Sequence, residues 1–231
     1  MNDLKFTNAG DFLKSQQKNF TWLSKEFSDL WIARCRELYD HAVECGEYKE
    51  LHMKYILTPT HMREYYIERF PWLNEMPMYD PTKESVVFFR FNGSDPETDK
   101  FEVHRDPTEA WANVNVPVYN CTHETRTIWV EPVGESKSLE DHYAGSKTDP
   151  HGNETFSEHL LSAHREVETQ FITDRACLFK GDTWHKVQVD HNRDEWRVMA
   201  KFWSRGLNWQ WLHETFIDDL DYEYDNSLST A

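Results

Sequence analysis

Eight short segments between residues 85 and 203 are rich in β-branched and aromatic residues, and most are separated by Gly, Pro, Asn or Asp. Such segments are typical of strands, and the intervening residues favour chain reversal. A series of short strands like this predicts an antiparallel roll or barrel built from two sheets. The segments are 85–91, 100–104, 110–119, 125–131, 168–172, 175–180, 184–189 and 196–203.

Helical patterns flank these strands. Apolar residues recur at helical spacing from Phe20 to Ala42, which predicts one amphipathic helix. A second helix is expected near 60–70, because Thr58-Pro59 can start a helix and Pro71 ends one. Both helices are expected to cover one face of a sheet.

A single domain is expected, 1–231, because 231 residues suit one substantial core. Its class is mainly β with flanking α. The polar stretch 133–165 interrupts the strands, and it predicts a long loop with a short helix at the pocket mouth. The expected divisions are a helical cover over 1–80, a strand core over 84–205 with the insertion 133–165, and a C-terminal helix over 207–220.

The tripeptide His104-Arg105-Asp106 ends a predicted strand. Side chains two residues apart in a strand lie on the same face, so His104 and Asp106 are spaced as two ligands of one metal. Pro107 follows and stops ladder pairing, which places the carboxylate at a strand end that a metal can reach.

His185 and Arg197 lie in two later predicted strands, separated by the polar segment DHNRDE at 190–195. If that segment closes a hairpin, strands 184–189 and 196–203 are antiparallel neighbours, and both side chains share one face. Arg197 then suits a carboxylate, which a guanidinium binds through two parallel hydrogen bonds. The alternatives are a core histidine with satisfied hydrogen bonds and a surface arginine paired with a nearby acid.

Two histidines and a carboxylate form the facial triad of non-heme Fe(II) sites, which leaves positions open for a bidentate keto acid and dioxygen. We therefore interpret His104, Asp106 and His185 as metal ligands and as the catalytic centre. Their ligating atoms should lie within about 5 Å of one another, because such metal–ligand bonds measure about 2.1 Å.

The segments HRDP, NVNVPVYNC, TIWVEP, FKGDTWHKVQVDH and WRVMAKFWSR together resemble the Fe(II)/2-oxoglutarate-dependent oxygenase superfamily, in particular its small members from phages and marine microbes. The resemblance covers residues 84–205. It implies a double-stranded β-helix, a jelly roll of the cupin-like kind. It also implies Fe(II), O2 and 2-oxoglutarate as a co-substrate that yields succinate and CO2.

Residue by residue, the resemblance matches His104, Asp106 and His185 to the metal triad and Arg197 to the 2-oxoglutarate anchor. The gap from His185 to Arg197 is slightly long for the family, so Arg193 is the second candidate for the anchor. Halogenating relatives have a small residue in place of the carboxylate. The presence of Asp106 therefore favours hydroxylation.

Polar residues on the strand 110–119 add a further expectation. Val114, Val116 and Val118 alternate with Asn115 and Tyr119, so valines packed under the helices would turn the polar set toward the interior. Asn115, Tyr119 and, on the next strand, Thr127 are then candidates to bind co-substrate or substrate. An ordinary buried polar network is the alternative.

The formal net charge of -16 argues against nucleic acid and anionic membranes as partners, because phosphate binding needs a basic surface. We expect a cytoplasmic protein with reduced cysteines, since the first residues show no signal-peptide pattern and the cysteines form no CxxC. A small-molecule or amino-acid-like substrate is expected, and the oligomeric state is not indicated. The rival interpretations are a cupin-like metal-binding or scaffold protein without catalysis and a metal hydrolase with the same triad.

Overall fold

The computed structural model describes residues 19–51, 54–76, 80, 85–92, 103–105, 112–132, 147–148, 154–155, 164–181, 183–189, 195–204, 209–221 and 224. Its α-helical elements are α1 (Lys25–Cys45), α2 (Pro59–His61), α3 (Ile67–Arg69) and α4 (Trp209–Thr215). A π-helical turn, Met62–Tyr66, joins α2 to α3, and 3-10 turns occupy Pro71–Glu75 and Ile217–Asp219.

The strands are β1 (Phe20–Trp22), β2 (Lys49–Leu51), β3 (Lys54–Leu57), β4 (Val86–Phe91), β5 (His104–Arg105), β6 (Ala112–Tyr119), β7 (Thr125–Pro132), β8 (Lys147–Thr148), β9 (Glu154–Thr155), β10 (His164–Gln170), β11 (Cys177–Lys180), β12 (His185–Val189) and β13 (Arg197–Ser204). They form a seven-stranded sheet in the order β1-β11-β6-β13-β4-β3-β2. A six-stranded sheet has the order β10-β7-β12-β5-β9-β8.

Eight of these strands pass back and forth between the two sheets along the chain, except that β7 and β10, which follow one another among the eight, both lie in the six-stranded sheet. β4, β6, β11 and β13 are consecutive in the seven-stranded sheet, while β5, β7, β10 and β12 are consecutive in the other. This interleaving of two antiparallel four-stranded units is a double-stranded β-helix. The fold class expected from the sequence, mainly β with flanking helices, is confirmed.

The expected hairpin between strands 184–189 and 196–203 is wrong. β12 pairs with β7 and β5, whereas β13 pairs with β6 and β4 in the opposite sheet. The chain between them therefore crosses from one sheet to the other. A polar segment of that length is compatible with either connection, so the sequence could not separate them.

Helix α1 covers the outer face of the seven-stranded sheet, as expected. Its first turn is capped by Ser24, whose side chain accepts a hydrogen bond from the Phe27 amide, and Gly46 ends it with φ 70°. Its buried stripe packs against the alternate residues of β6 and β13 that face outward. The residues of this outer core include Trp31, Cys35, Leu38, Ala42, Val114, Val116, Val118, Val198, Ala200 and Phe202.

The structure also differs from expectation at the two ends of the chain. Phe20 belongs to β1, which pairs with β11, and β2 and β3 extend the seven-stranded sheet within the region expected to be helical. Strands of three or four residues at a sheet edge carry too little alternation to be recognised from sequence. The helix expected near 60–70 is confirmed, and α4 is shorter than 207–220.

Two short strands lie within the insertion 133–165. β8 pairs with β9, and β9 pairs with β5 so that Thr155 lies opposite His104. The insertion therefore extends the six-stranded sheet beyond β5. The rest of the stretch expected to form a loop and short helix lies largely outside the described residues.

A matched pair of leucines on α1 tests the outer core. Leu38→Ala should lower the free energy of unfolding by about 2–5 kcal/mol, because Leu38 is fully buried. Leu30→Ala should change it by less than about 0.5 kcal/mol, because Leu30 is 48% exposed. Urea unfolding followed by circular dichroism gives both values, and equal losses in the two variants would contradict the described packing.

Candidate metal and co-substrate site

The register of the six-stranded sheet places His104 directly opposite His185, and His185 lies opposite Trp129 on its other side. Directly opposed residues of antiparallel strands have Cα atoms about 4.5–5.5 Å apart and belong to one face of the sheet. Two strands far apart in sequence thus bring together the two histidines that the sequence singled out.

His185 is 3% exposed, and its Nδ1 lies 2.7 Å from the carbonyl oxygen of Thr183. A carbonyl can only accept, so Nδ1 carries the proton and donates it. In the neutral ring this leaves Nε2 without a proton, and an unprotonated ring nitrogen is what ligates a metal. The backbone hydrogen bond also fixes the orientation of the ring.

Asp106, the third expected ligand, lies outside the described residues, and His104 is described by its backbone alone. Within the segments that the structure describes, no group of three His, Cys, Asp or Glu side chains is arranged to hold a metal. The triad therefore stays a prediction. The strand register constrains only the separation between His104 and His185. Arg193 also lies outside the described residues.

Aromatic rings surround His185 on the inner side of the sheet. The Phe179 ring of β11 lies 5.0 Å from the imidazole in an edge-on arrangement, and the Trp129 ring lies 6.4 Å away. Phe179 belongs to the opposite sheet, so His185 points into the space between the sheets. A largely apolar wall there excludes water and strengthens electrostatic interactions.

The inner faces of the two sheets also carry buried polar side chains. Asn115 is 2% exposed and Thr127 is 8% exposed, so both lie in the interior as expected. In the described part of the chain, Asn115 Oδ1, Thr125 Oγ1 and Gln170 Oε1 are buried without a hydrogen-bond partner. Because buried polar atoms are almost always bonded, this set is suited to a polar guest.

Tyr119 does not join this set, contrary to the expectation from its parity. Its hydroxyl donates to Asp40 Oδ2 at 2.6 Å, and its ring packs on Tyr39 and Arg36 of α1. The cause is a register shift where β13 pairs with the end of β6, between Val198 and Met199. A bulge of one residue turns the next side chain to the other face.

Arg197 is 3% exposed and opens β13 opposite Phe91, whose ring lies 5.4 Å from the guanidinium carbon. Its Nε has no hydrogen-bond partner in the described segments, and none of their ion pairs includes it. The neighbouring Cys121 supplies no charge, because burial raises the pKa of this thiol more than Arg197 lowers it. A buried cation of this kind requires an anionic or polar partner.

Sequence reasoning missed Lys201, which is 5% exposed. Its Nζ lies 5.6 Å from the Phe179 ring centroid and 5.7 Å from that of Phe89. The available signal was parity, because Lys201 is four residues from Arg197 on one strand and so shares its face.

The two cations lie at different depths. Phe179, which contacts His185, is opposite Asn113, and Asn113 is opposite Trp203 of β13. Lys201 is two residues from Trp203 and Arg197 is six, and all three share one face of β13. Lys201 is therefore nearer than Arg197 to the level of His185.

No protein-family model matches the chain, and no curated protein matches it. A prolyl 4-hydroxylase from Phytophthora capsici is 14% identical with a TM-score of 0.43, over 80% of this chain and 58% of that chain. This chain therefore spans less than two thirds of that enzyme.

Two further solved structures are similar to the chain. The epimerase SnoN, in complex with Fe3+, alpha ketoglutarate and nogalamycin RO, is 9% identical with a TM-score of 0.49, over 94% of this chain and 91% of that one. A Pseudomonas putida prolyl-4-hydroxylase is 11% identical with a TM-score of 0.31, over 81% and 92%. The assignment of the fold rests on the strand order given above.

Removing the buried imidazole tests the metal site. His185→Ala should weaken Co(II) or Fe(II) binding by at least about 100-fold, more than the loss of an outer-shell partner. His123→Ala is the matched control, because His123 is exposed and packs on Phe171. Anaerobic competition with a chromophoric chelator measures both, and unchanged affinity in His185→Ala would contradict the assignment.

Proposed function

We propose that this protein is an Fe(II)- and 2-oxoglutarate-dependent dioxygenase that hydroxylates a small-molecule or amino-acid-like substrate and releases succinate and CO2. One observation carries the proposal: the strand register sets His104 opposite His185, and Asp106 follows His104 by two residues. In the proposal these three residues supply two imidazoles and a carboxylate to one metal.

In this proposal His104, Asp106 and His185 hold the iron on one side and leave its other positions to the co-substrate and dioxygen. Bound iron supplies the activation of O2 that is coupled to decarboxylation of the keto acid. The protein contributes the rest. Thr183 orients His185 through the Nδ1 hydrogen bond, and Phe179 and Trp129 shield the site from water.

Arg197 is proposed to bind the distal carboxylate of 2-oxoglutarate. The support is its burial and the absence of an ion pair among the described residues, which leave the guanidinium in need of an anion. Asn115 and Thr127 are proposed to bind the same molecule along its length. Lys201 shares the face of β13 that carries Arg197 and adds a second buried positive charge.

The rival functions make different demands on these residues. A metal hydrolase needs a general base beside a metal-bound water, and it leaves the buried cations Arg197 and Lys201 without a role. A scaffold protein needs neither the orienting bond on His185 nor buried polar atoms facing inward. The dioxygenase accounts for all of them.

The first test is formation of the ternary chelate. Anaerobic Fe(II) and 2-oxoglutarate together should produce a weak visible charge-transfer band with the wild-type protein, and neither component alone should produce it. Absence of the band in a folded protein that binds Fe(II) would leave a metal-binding role without 2-oxoglutarate dependence.

The same charge-transfer band measures the affinity for 2-oxoglutarate, and so tests Arg197 as its anchor. Arg197→Ala should weaken 2-oxoglutarate binding by about 2–4 kcal/mol, the scale for removing the partner of a buried charge. Arg197→Lys should lose less, because it keeps the charge and loses only the two-pronged hydrogen bonding. Fe(II) affinity should stay unchanged in both variants. A loss confined to Lys201→Met would assign the anchor to Lys201.

The insertion 133–165 is proposed to border the entrance to the site, supported by the pairing of β9 with β5 at His104. Segments of this kind close over bound substrate. Amide exchange in β8 and β9 should therefore slow when substrate binds, while exchange in β2, an edge strand of the other sheet, stays constant. Unchanged exchange in β8 and β9 would contradict this role.

A further inference from the structure

A continuous series of aromatic rings leads from His185 to the protein surface. The Trp129 ring lies 6.4 Å from the His185 ring, and the Phe20 ring stacks on Trp129 at 5.3 Å. Phe20 meets Trp22 at 5.5 Å, and Trp22 meets Tyr224 at 5.1 Å. Every separation lies within the contact range of aromatic pairs, about 4.5–7 Å.

The two tryptophans of this series are buried, and the ring at its outer end is partly exposed. Trp129 is fully buried and Trp22 is 5% exposed, whereas Phe20 and Tyr224 are partly exposed. Three of the rings are indoles or a phenol, the side chains that lose an electron most readily after thiols. Phe20 is the ring through which the two tryptophans connect, since both contact it.

The outer end has a proton acceptor. The Tyr224 hydroxyl donates to Asp174 Oδ1 at 2.5 Å, and the Arg175 guanidinium carbon lies 4.6 Å from the Tyr224 ring. Burial raises the pKa of Asp174, but the hydrogen bonds from Tyr224 and Thr173 and the charge of Arg175 together hold it below its usual value. Burial and the same hydrogen bond raise the pKa of Tyr224, so the pair is phenol and carboxylate at neutral pH.

We propose that Trp129, Trp22 and Tyr224 form an electron-transfer path that reduces an over-oxidised iron centre when substrate is absent. This inference rests on the proposed function, because it requires an oxidising iron held by His185. Trp129 would supply one electron to that iron and regain it from Trp22 across Phe20, and Trp22 would regain it from Tyr224. Tyr224 passes its phenolic proton to Asp174 as it loses the electron. A small-molecule reductant such as ascorbate then returns one electron to Tyr224, and Asp174 returns the proton.

The path would protect the side chains near His185 from oxidation. An oxidant formed without substrate would otherwise attack nearby side chains, and among the described residues the rings of Trp129 and Phe179 contact that of His185. Moving the oxidising equivalent to a partly exposed tyrosine places it where solution reductants can reach it.

The test compares four proteins loaded with Fe(II) and 2-oxoglutarate: wild type, Tyr224→Phe, Asp174→Asn and the control Tyr65→Phe. Tyr224→Phe keeps the ring and removes the hydroxyl. Tyr65 is 41% exposed and lies on the helical cover, where its hydroxyl bonds to His41. Each sample is checked for the anaerobic chelate band, mixed with O2 without substrate, frozen, and examined by electron paramagnetic resonance and peptide mass spectrometry.

Wild type and Tyr65→Phe should show a tyrosyl radical that ascorbate removes. Tyr224→Phe should lose the signal and accumulate several-fold more oxidised Trp129, and Asp174→Asn should form the radical more slowly. A chelate band without a tyrosyl radical, or a radical that persists in Tyr224→Phe, would overturn the path and leave the dioxygenase intact. Failure to form the chelate would remove both.

Discussion

The pairing of β12 between β7 and β5 is the constraint on which the site depends. It sets His185 opposite both His104 and Trp129, and a slip of one residue would turn His185 to the outer face. Burial on both faces prevents that slip. Ile128, Val130 and Trp184 are buried on the outer side of this sheet, while Trp129 packs inward against Phe179.

Most of the apolar packing lies between the seven-stranded sheet and its helices. The largest buried cluster joins α1 to the outward-facing residues of β6 and β13, and its members are nearly all apolar. Stabilisation from this layer permits the inner faces of the same strands to carry Asn115, Arg197 and Lys201, which contribute little to stability by themselves. One strand thereby serves the core with one face and the candidate site with the other.

The negative net charge of the protein makes the buried cations Arg197 and Lys201 more important for binding an anionic co-substrate. A net charge of -16 opposes the approach of an anionic co-substrate through solvent. Arg197 and Lys201 are buried, so their field acts at short range in a medium of low dielectric constant, where salt screens it less. Within the described residues, no helix is both long and apolar enough to cross a membrane.

The sequence by itself determined the mainly β class and the amphipathic helix α1, because a period of two or of 3.6 residues records burial directly. Residue types, their spacing and the resemblance to a known superfamily singled out His104 and His185 as candidate ligands. Only the tertiary structure decided which sheet each strand joins. Alternation defines two faces but not a neighbour, so the expected hairpin of β12 and β13 was wrong. The tertiary structure also decided that Tyr119 lies under α1. The bulge that turns this side chain outward leaves no signature in the alternation of the sequence. The burial of Lys201 was likewise set by packing, because Phe89 and Phe179 reach it from β4 and β11, and contacts between distant strands are not encoded in local spacing.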